Sequence, residues 1–166
     1  TGVGAGYSVN KKIIVGPNKL TGEWGQNPIP GPMDEYEKSV KRHCGRVGAV
    51  EVFLSGPGLE NYYEHITKTK ISSRDIVSLY RENDLVAGEV MDVYFERIAR
   101  SFSTFVNILD PDVIVCGGGM SEIDEIYDEV PNRIIPYIAS NFFLTPIVKA
   151  THGSSSGVRG AAYLWN

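Results

Sequence analysis

The stretch that decides the fold class is DPDVIVCGGGMSE, residues 110–122. Its run 112–116 is too short for a helix, rich in β-branched residues and apolar on both faces, which is typical of a strand buried in a parallel sheet. The strand stops at Gly117, Gly118 and Gly119, where ligands bind in open α/β sheets. Because three glycines leave no side chain to hinder a planar base or sugar, we predict a ligand contact here. The alternative is a tight strand-to-helix turn, which usually needs one glycine.

Strands and helices alternate around this stretch. Apolar residues keep helical spacing from about Asp84 to Leu109, which predicts a long helix with one predominantly apolar face. The predicted elements that follow the strand are a helix over 123–139 with Pro131 as a kink or break, a strand over 145–150 and a closing helix over 158–165. This alternation predicts an α/β layered fold with helices packed on a sheet.

The amino-terminal half is rich in glycine and proline and predicts less regular structure. Residues 1–16, TGVGAGYSVNKKIIVG, alternate small and apolar positions around Asn10 and Lys11, which predicts a hairpin. Between residues 16 and 42 we expect ordered loops with short strands rather than helices. The helices predicted beyond this region are two short ones between Ala49 and His65, separated near Pro57, and one that is capped by Ser72 or Ser73 and runs through Leu79.

Composition and charge fit one globular domain of 166 residues with 42% apolar content. The 20 acidic residues outnumber the 16 basic ones, and the basic residues form no broad patch outside 38–46, so a nucleic-acid partner is disfavoured. No apolar run approaches the roughly 20 residues that cross a bilayer, so no membrane partner is expected. The two cysteines, Cys44 and Cys116, suggest no disulfide framework, so the expected location is the reducing cytoplasm.

The opening TGVGAG, residues 1–6, does not fit a dinucleotide-binding fingerprint. The spacing G-x-G-x-x-G counted from Gly2 ends at Tyr7 instead of glycine or alanine, and the following residues alternate like a strand. Two interpretations stay open. The glycines either let backbone N–H groups approach a phosphate closely, or they form a purely structural turn.

The loop RHCGRVGAVE, residues 42–51, has the outline of a metal knuckle with most of its ligands missing. Structural zinc needs four ligands, usually Cys or His, and here His43 and Cys44 are the candidates and are adjacent. We therefore expect no zinc. Glu23, in a loop between glycines, and Glu51, which opens the helix after the knuckle, are two further candidates. They are either solvated side chains or carboxylates that accept hydrogen bonds from sugar hydroxyls.

Five motifs of the chain resemble, in order and spacing, the second half of the ROK family (repressor, open reading frame, kinase). They are TGVGAG, GEWGQNP, CGRVGAVEVFLSGPG, NILDPDVIVCGGGM and HGSSSGVRGAA. The resemblance covers nearly the whole chain and is strongest to bacterial fructokinases. It implies an α/β, actin-like (ribonuclease H-like) ATPase lobe with a mixed sheet packed with helices. Residues 1–166 would form the carboxy-terminal lobe, and residues of about 16–60 its loop-rich sugar-site and former zinc-knuckle insertion.

The resemblance assigns roles to several residues of this sequence. Thr1 and Gly2 match the end of a phosphate loop, and Gly117 to Gly119 match a segment that contacts adenosine. Glu23 and Glu51 match carboxylates that bind sugar hydroxyls. Gln26 stands where the family has a histidine that also touches sugar, so the family's sugar selectivity does not carry over directly.

The same resemblance explains the knuckle. The family's zinc ligands are a histidine in Gly-Glu-x-Gly-His and the cysteines of Cys-x-Cys-Gly-x-x-Gly-Cys-x-Glu. Here Gln26, Arg42 and Ala49 occupy three of these four positions, and Cys44 alone is retained. The implied metal site is therefore degenerate. Arg42 supplies a fixed positive charge, but we expect that it does not cross-link the loop. The loop should therefore be more mobile than in zinc-bearing relatives.

The function implied by the resemblance is transfer of the γ-phosphate of ATP to a hexose, with fructose converted to fructose 6-phosphate and with Mg²⁺ as cofactor. The catalytic aspartate of such kinases precedes the matched region, so no catalytic residue is predicted in this chain, and the chain alone is expected to be inactive. Its expected partners are the hexose, ATP, the missing amino-terminal lobe and a second copy in a homodimer. The alternatives are the effector domain of a sugar-sensing ROK repressor and a non-catalytic dimerising scaffold.

Overall fold

The computed structural model describes residues 2–163, except the side chain of Ser154. The chain forms two compact units, Thr1–Ile76 and Val77–Asn166. Within the described residues the strands form two separate two-stranded sheets, one antiparallel and one parallel. The antiparallel sheet belongs to the first unit and the parallel sheet to the second.

The first unit begins with the predicted hairpin. Strands β1 (Ser8–Val9) and β2 (Lys12–Ile13) pair antiparallel, with Ser8 opposite Ile13. Asn10 and Lys11 have φ angles of 50° and 63°, and positive φ at both central residues is the requirement of the two-residue turn that matches strand twist. The hairpin prediction is confirmed, although each strand is only two residues long and residues 2–7 have no regular structure.

The glycine- and proline-rich region contains a helix that we did not expect, α1 (Glu35–Ser39). Its amino terminus is a capping box: the Glu37 backbone N–H donates to Asp34 Oδ1 at 2.6 Å, and the Asp34 backbone N–H donates to Glu37 Oε2 at 3.3 Å. These reciprocal bonds satisfy two donors that a helix start leaves free. The prediction of loops and short strands is therefore wrong for this segment. It otherwise describes the region, where two isolated bridges join Pro28 to Ala49 and Lys41 to Val47.

Two short helices follow as predicted, α2 (Glu51–Leu54) and α3 (Gly56–Thr67). Ser55 separates them and caps α3, because its Oγ accepts from the Gly58 backbone N–H at 3.2 Å. The buried apolar side chains of this unit are Ile29, Ala49, Val50, Phe53, Leu54, Leu59, Tyr63 and Ile76. The two helices place the first residue of α2, Glu51, beside the loop that precedes it.

Helices α4 (Ser73–Arg81) and α5 (Leu85–Leu109) start where the sequence predicts. Ser72 Oγ accepts from the Asp75 backbone N–H at 3.2 Å, and Asp84 accepts from the Ala87 backbone N–H at 2.8 Å. The prediction of a single apolar face on α5 is wrong in its central part. The buried residues there lie on nearly every side of the helix: Tyr94, Phe95, Arg97, Ile98, Ala99, Arg100, Ser101, Phe102 and Ser103.

Small and polar residues off the predicted face of α5 are also buried, among them Arg97, Ser101 and Ser103. Its buried hydroxyls are satisfied within the helix itself: Ser101 Oγ donates to the Arg97 carbonyl and Ser103 Oγ to the Arg100 carbonyl, each at 2.7 Å. Such bonds to the preceding turn let serine occupy a buried helical position.

The decisive stretch of the second unit forms β3 (Ile114–Cys116), which pairs in parallel with β4 (Ile147–Lys149). Ile147 is 7% exposed, whereas Val115 is 59% exposed. The expected burial of this strand on both faces is therefore wrong. Within the described residues the sheet has two strands, and α6 packs against β4, so one face is covered while the face of Val115 is open.

The last helices differ from the prediction at their ends. Helix α6 (Ile126–Arg133) continues through Pro131 and gives way to a 3₁₀ turn, Ile135–Tyr137. Pro136 lies within that turn and has no backbone N–H to donate to the Asn132 carbonyl, so the α-helical hydrogen-bond pattern does not continue to residue 139. Helix α7 (Ser156–Ala162) starts two residues before the predicted 158, and the end of that prediction lies outside the described residues.

Within residues 2–163, no helix combines the length and apolar character that a bilayer crossing requires.

Candidate functional site

A cavity of about 540 Å³ lies in the first unit. Four residues to which the resemblance assigns binding roles line it: Gly2, Glu23, Gln26 and Glu51. The other lining residues are Val40, Lys41, Arg42, His43, Val52, Ser55, Pro57, Gly58 and Asn61. The structure thus brings together residues from the start of the chain, the loop around residue 23, the knuckle and the first helices.

The position of Glu23 is fixed by close packing of its loop's backbone against the backbone of the opening segment. Gly22 has φ of 95°, and a Cβ there would lie 1.7 Å from the Ala5 carbonyl oxygen; a Cβ at Gly25 would lie 2.1 Å from the Val3 carbonyl oxygen. The Ala5 backbone N–H also donates to the Gly22 carbonyl at 2.8 Å. Glycine is therefore required on both sides of Glu23, and these contacts hold its loop against the opening segment.

Glu51 is placed by an ion pair with Arg42. Arg42 Nε donates to Glu51 Oε1, and the two side chains are 16% and 17% exposed, respectively. The other carboxylate oxygen, Oε2, faces Gly2, where a Cβ would lie 2.8 Å from it. The absence of a side chain at Gly2 leaves room for this carboxylate at the cavity wall.

Arg42 also contacts the knuckle itself. Its Nη1 donates to Cys44 Sγ at 3.5 Å, its backbone N–H donates to the Arg46 carbonyl at 2.8 Å, and its carbonyl accepts from the Gly45 backbone N–H at 2.8 Å. The expectation that Arg42 does not cross-link the loop is wrong. A guanidinium has five donors in a planar fork, so one side chain reaches both Cys44 and Glu51.

The residues of the knuckle do not fit zinc. Among the described residues, no group of three or more Cys, His, Asp or Glu side chains is placed to hold a metal ion. Gln26, Arg42 and Ala49, which the motif resemblance sets at three of the four ligand positions, are not zinc ligands, and a guanidinium beside Cys44 would repel a cation. The exposed Cys44 thiol has a lowered pKa because the Arg46 backbone N–H, and then the Arg42 side chain, donates to its sulfur.

The chemistry of the cavity suits a ligand that both donates and accepts hydrogen bonds. Glu23 and Glu51 offer carboxylate acceptors, while Gln26 and Asn61 offer amides that donate and accept. Sites for small polar molecules combine a concave shape with a few well-placed polar groups of this kind.

The glycines of TGVGAG do not form a turn. Gly4 and Gly6 lack positive φ, and residues 2–7 carry no turn. The structural-turn interpretation of this segment is therefore wrong. A phosphate contact through its backbone stays a prediction, of which the part at Thr1 lies outside the described residues.

In the second unit, the three positions after β3 that hold glycine differ in whether another residue could replace it. Gly118 has φ of 91° and ψ of −178°, a conformation that favours glycine. A Cβ at Gly117 would make ordinary contacts of 3.7 Å with Ala150 and Ser156, and one at Gly119 would meet nothing within 4 Å. The turn thus needs one glycine, and the other two leave bare main chain at the surface.

A second cavity of about 510 Å³ lies beside the loop that follows β4. It is lined by Glu122, Lys149, Ala150, Thr151, His152 and Gly153. Lys149 Nζ lies 2.8 Å from Glu122 Oε2 and 3.2 Å from Asp124 Oδ1, and these carboxylates raise the pKa of Lys149, Glu122 first. Sequence reasoning missed these side chains, although the position of the loop after a parallel strand was a usable signal.

A sequence profile of the ROK family matches residues 1–166. The chain belongs to the ROK family. It is 36% identical over 168 residues to an N-acetyl-D-glucosamine kinase of Vibrio atlanticus (strain LGP32), which covers 99% of this chain and 56% of the relative. The ROK chain therefore spans just over half the length of the curated relatives it matches.

Solved structures of ROK proteins share the fold of this ROK chain. A ROK family glucokinase from Streptomyces griseus in complex with glucose and AMPPNP superposes with a TM-score of 0.84 at 20% identity, covering 99% of this chain and 57% of that one. A ROK family transcriptional regulator, a homologue of the E. coli MLC protein, gives a TM-score of 0.71 at 20% identity over 89% of this chain and 39% of that one. The predicted family and its actin-like fold class are confirmed.

Proposed function

We propose that this ROK chain forms the hexose-binding and nucleotide-binding part of an ATP-dependent sugar kinase. The observation that carries the proposal is the shared cavity of Glu23, Gln26 and Glu51. Glu51 lies well beyond Glu23 and Gln26 in the sequence, and the motif resemblance matches each of the three to a ROK position that contacts sugar. A hexose presents hydroxyls that donate to carboxylates and accept from amides, which is the combination this cavity offers.

The proposed reaction transfers the γ-phosphoryl group of ATP to a sugar hydroxyl. The bond between the γ-phosphorus and the β,γ-bridging oxygen breaks, a bond forms to the sugar oxygen, and the hydroxyl proton passes to a general base. We place that base, an aspartate, outside this chain, so the chain alone should not turn over. Its own residues position the sugar, and such transfer depends mainly on positioning and on stabilisation of charge. When bound, Mg²⁺ would neutralise the phosphates.

The nucleotide would lie against the bare main chain at Gly117 and Gly119. Neither glycine is needed by the turn, because an added Cβ would meet ordinary contacts at Gly117 and nothing within 4 Å at Gly119. Bare backbone after a parallel strand admits a planar base closely. The glucokinase of similar fold was crystallised with AMPPNP, which supports ATP as the nucleotide.

N-acetyl-D-glucosamine is the first sugar to test, because curated relatives at 34–36% identity are named N-acetyl-D-glucosamine kinases. Fructose, which the sequence motifs suggested, is the second candidate. Gln26 is the residue that should distinguish this site from those of histidine-bearing relatives, because an amide donates and accepts hydrogen bonds without changing its charge with pH.

The test is ADP release by the intact protein with N-acetyl-D-glucosamine, fructose, glucose and mannose. Glu23→Gln should lower kcat/KM for the preferred sugar by about 10- to 100-fold, the range expected when a charged acceptor is lost. Glu35→Gln is the matched control, because Glu35 is exposed, pairs with Lys38 and does not line the cavity. Equal kcat/KM values for the two variants would remove Glu23 from the sugar site.

A second candidate function is the effector domain of a sugar-sensing repressor. The observation in its favour is the shared fold with a ROK family transcriptional regulator. Such a protein would bind the hexose in the same cavity without ADP release, and the intact gene product would carry a DNA-binding domain. Sugar binding without turnover would favour this candidate over the kinase.

The oligomeric state of the intact protein is also part of the proposed function. We propose that the intact protein is a homodimer in the cytoplasm, as the resemblance suggested. Light scattering after size-exclusion chromatography measures its mass directly, and a monomer at micromolar concentration would contradict the dimer. A protein that dimerises but binds neither ATP nor any hexose would instead be the non-catalytic scaffold.

A further inference from the structure

Arg42 connects the knuckle to the wall of the first cavity. Its guanidinium donates to Glu51 Oε1 and to Cys44 Sγ, and its main chain bonds to Arg46 and Gly45. We propose that Arg42 replaces a metal ion as the clamp of this loop and orients the Glu51 carboxylate toward the sugar. The inference rests on the proposed function, because it assigns a positioning residue to the same cavity.

The first step is that one side chain provides the cross-link. Cys44 lies within the loop and Glu51 begins α2, so a group that bonds to both ties the loop to the helix. Arginine suits this because its five donors form a rigid planar fork, whereas lysine concentrates its charge at one point. A metal ion would connect the same segments through several ligands, but the side chains that surround this loop do not form a zinc-binding set.

The second step concerns the burial of the pair. The Arg42 and Glu51 side chains are 16% and 17% exposed, so water screens their interaction less than it would at a fully exposed site. Removal of one partner from such a pair leaves the other charge without compensation, and this makes the orientation of Glu51 depend on Arg42. Glu51→Gln would remove the complementary charge, so the two substitutions should not act independently.

The third step concerns the free oxygen of Glu51. Oε1 accepts from Arg42 and Oε2 faces Gly2, and within residues 2–163 the carboxylate has no other hydrogen bond. Glu51 lines the cavity, so Oε2 is the acceptor available to a sugar hydroxyl. Arg42 thereby fixes which oxygen meets the ligand. We infer that it acts on sugar binding through Glu51.

The test uses the intact protein and measures sugar affinity by calorimetry together with the KM for sugar and for ATP. Arg42→Gln should weaken sugar binding by about 10- to 100-fold while the KM for ATP stays unchanged. Arg42→Lys should restore part of the affinity, because it keeps the charge but not both bonds. The control is Arg46→Gln, which removes the same charge from an exposed residue of the same loop that does not line the cavity.

Three further measurements decide between a clamp and other roles. In the Arg42→Gln background, Glu51→Gln should reduce sugar affinity less than it does in the wild type. Amide hydrogen exchange of residues 43–49 should rise in Arg42→Gln without sugar and stay unchanged in Arg46→Gln. Metal analysis should find no stoichiometric zinc, and a zinc chelator should leave sugar affinity unchanged.

The proposal is overturned if Arg42→Gln matches Arg46→Gln in both sugar affinity and exchange, or if stoichiometric zinc is present and its removal abolishes sugar binding. Failure of the proposed function looks different. The intact wild type would then neither bind nor phosphorylate any of the four hexoses. The claim that Arg42 orients Glu51 toward a sugar would then be wrong as well. The hydrogen-exchange comparison would still show whether Arg42 clamps the loop.

Discussion

The main chain of Gly25 lies directly against the main chain of Val3, so closely that a Cβ at Gly25 would come within 2.1 Å of the Val3 carbonyl oxygen. This contact and the neighbouring one at Gly22 explain why glycines flank Glu23. A carboxylate that binds a small ligand must be held in a fixed position by the surrounding structure. Here two close backbone–backbone contacts hold the loop of Glu23, and only glycine allows such contacts.

The first prediction is that Gly25→Ala destabilises the protein by about 1 to 3 kcal/mol, because overpacking against backbone atoms cannot be relieved by a rotamer change. Urea denaturation measures the free energy of unfolding. The matched control is Gly6→Ala, because Gly6 belongs to the same opening segment and an added Cβ there meets nothing within 4 Å. Equal stability of the two variants would mean that the close approach at Gly25 is absent.

A second prediction separates the roles of two neighbouring glycines. Gly118→Ala should lower the free energy of unfolding by about 1 kcal/mol or more, since φ of 91° strains any residue with a Cβ. Gly119→Ala should leave stability unchanged, because the space around it is open, and should raise the KM for ATP in the intact protein. An unchanged KM for ATP would remove Gly119 from the nucleotide site.

A third prediction concerns the cap of α1. Asp34→Ala removes the side chain that accepts from the Glu37 backbone N–H at 2.6 Å, and loss of such a cap costs about 0.5 to 2 kcal/mol. Thermal and urea denaturation should both show this loss. Asp34→Asn keeps an acceptor in the same place and serves as the control, and it should retain most of the stability. If alanine and asparagine behaved alike, the capping box would contribute nothing.

A fourth prediction concerns pH. Burial raises the pKa of the Cys116 thiol to about 11, above its ordinary value of about 8.5. Between these two values the folded state holds the proton more tightly than the unfolded state, so this group's contribution to stability falls as pH rises. Wild type should therefore lose more stability than Cys116→Ala between pH 8.5 and 11. Parallel pH curves for the two proteins would contradict the raised pKa.

The same thiol offers a second readout. Iodoacetamide reacts with thiolates, so at pH 8 it should modify the exposed Cys44 well before Cys116, which is protonated and less exposed. Mass spectrometry of the labelled peptides gives both rates. Faster labelling of Cys116 would contradict both its burial and its raised pKa.

Much of the fold follows from local sequence signals. Asp84 precedes a long run with helical spacing, and it caps α5 within one residue of the predicted start. The strand ending at Cys116 and the hairpin turn at Asn10 and Lys11 were also predicted, because β-branched runs bounded by glycines and short polar turns act over a few residues. Such signals do not depend on distant neighbours.

Other features could not be predicted because they depend on tertiary contacts. The exposure of Val115 reflects how many strands and helices cover its sheet, which the residues of one strand do not encode. Helix α1 was missed for a different reason: the density of glycine and proline around it outweighed the short capping signal of Asp34 and Glu37.

The sequence predicted which residues form the candidate site better than it predicted the contacts that position them. Motif resemblance selected Glu23, Gln26 and Glu51, and the structure places all three on one cavity. The pairing of Arg42 with Glu51 was missed, because the motif resemblance implies a lost cysteine at position 42 and gives no sign of what an arginine there can reach. The close approach of Gly22 and Gly25 to the opening segment is equally invisible in the sequence.

The most direct test of the central claim is a crystal structure of the intact protein grown with its preferred hexose. We predict electron density for the sugar in the cavity of the first unit, with hydroxyl oxygens within about 3 Å of the carboxylates of Glu23 and Glu51, a hydrogen-bonding distance. A well-defined sugar bound elsewhere, with both carboxylates facing solvent, would contradict it.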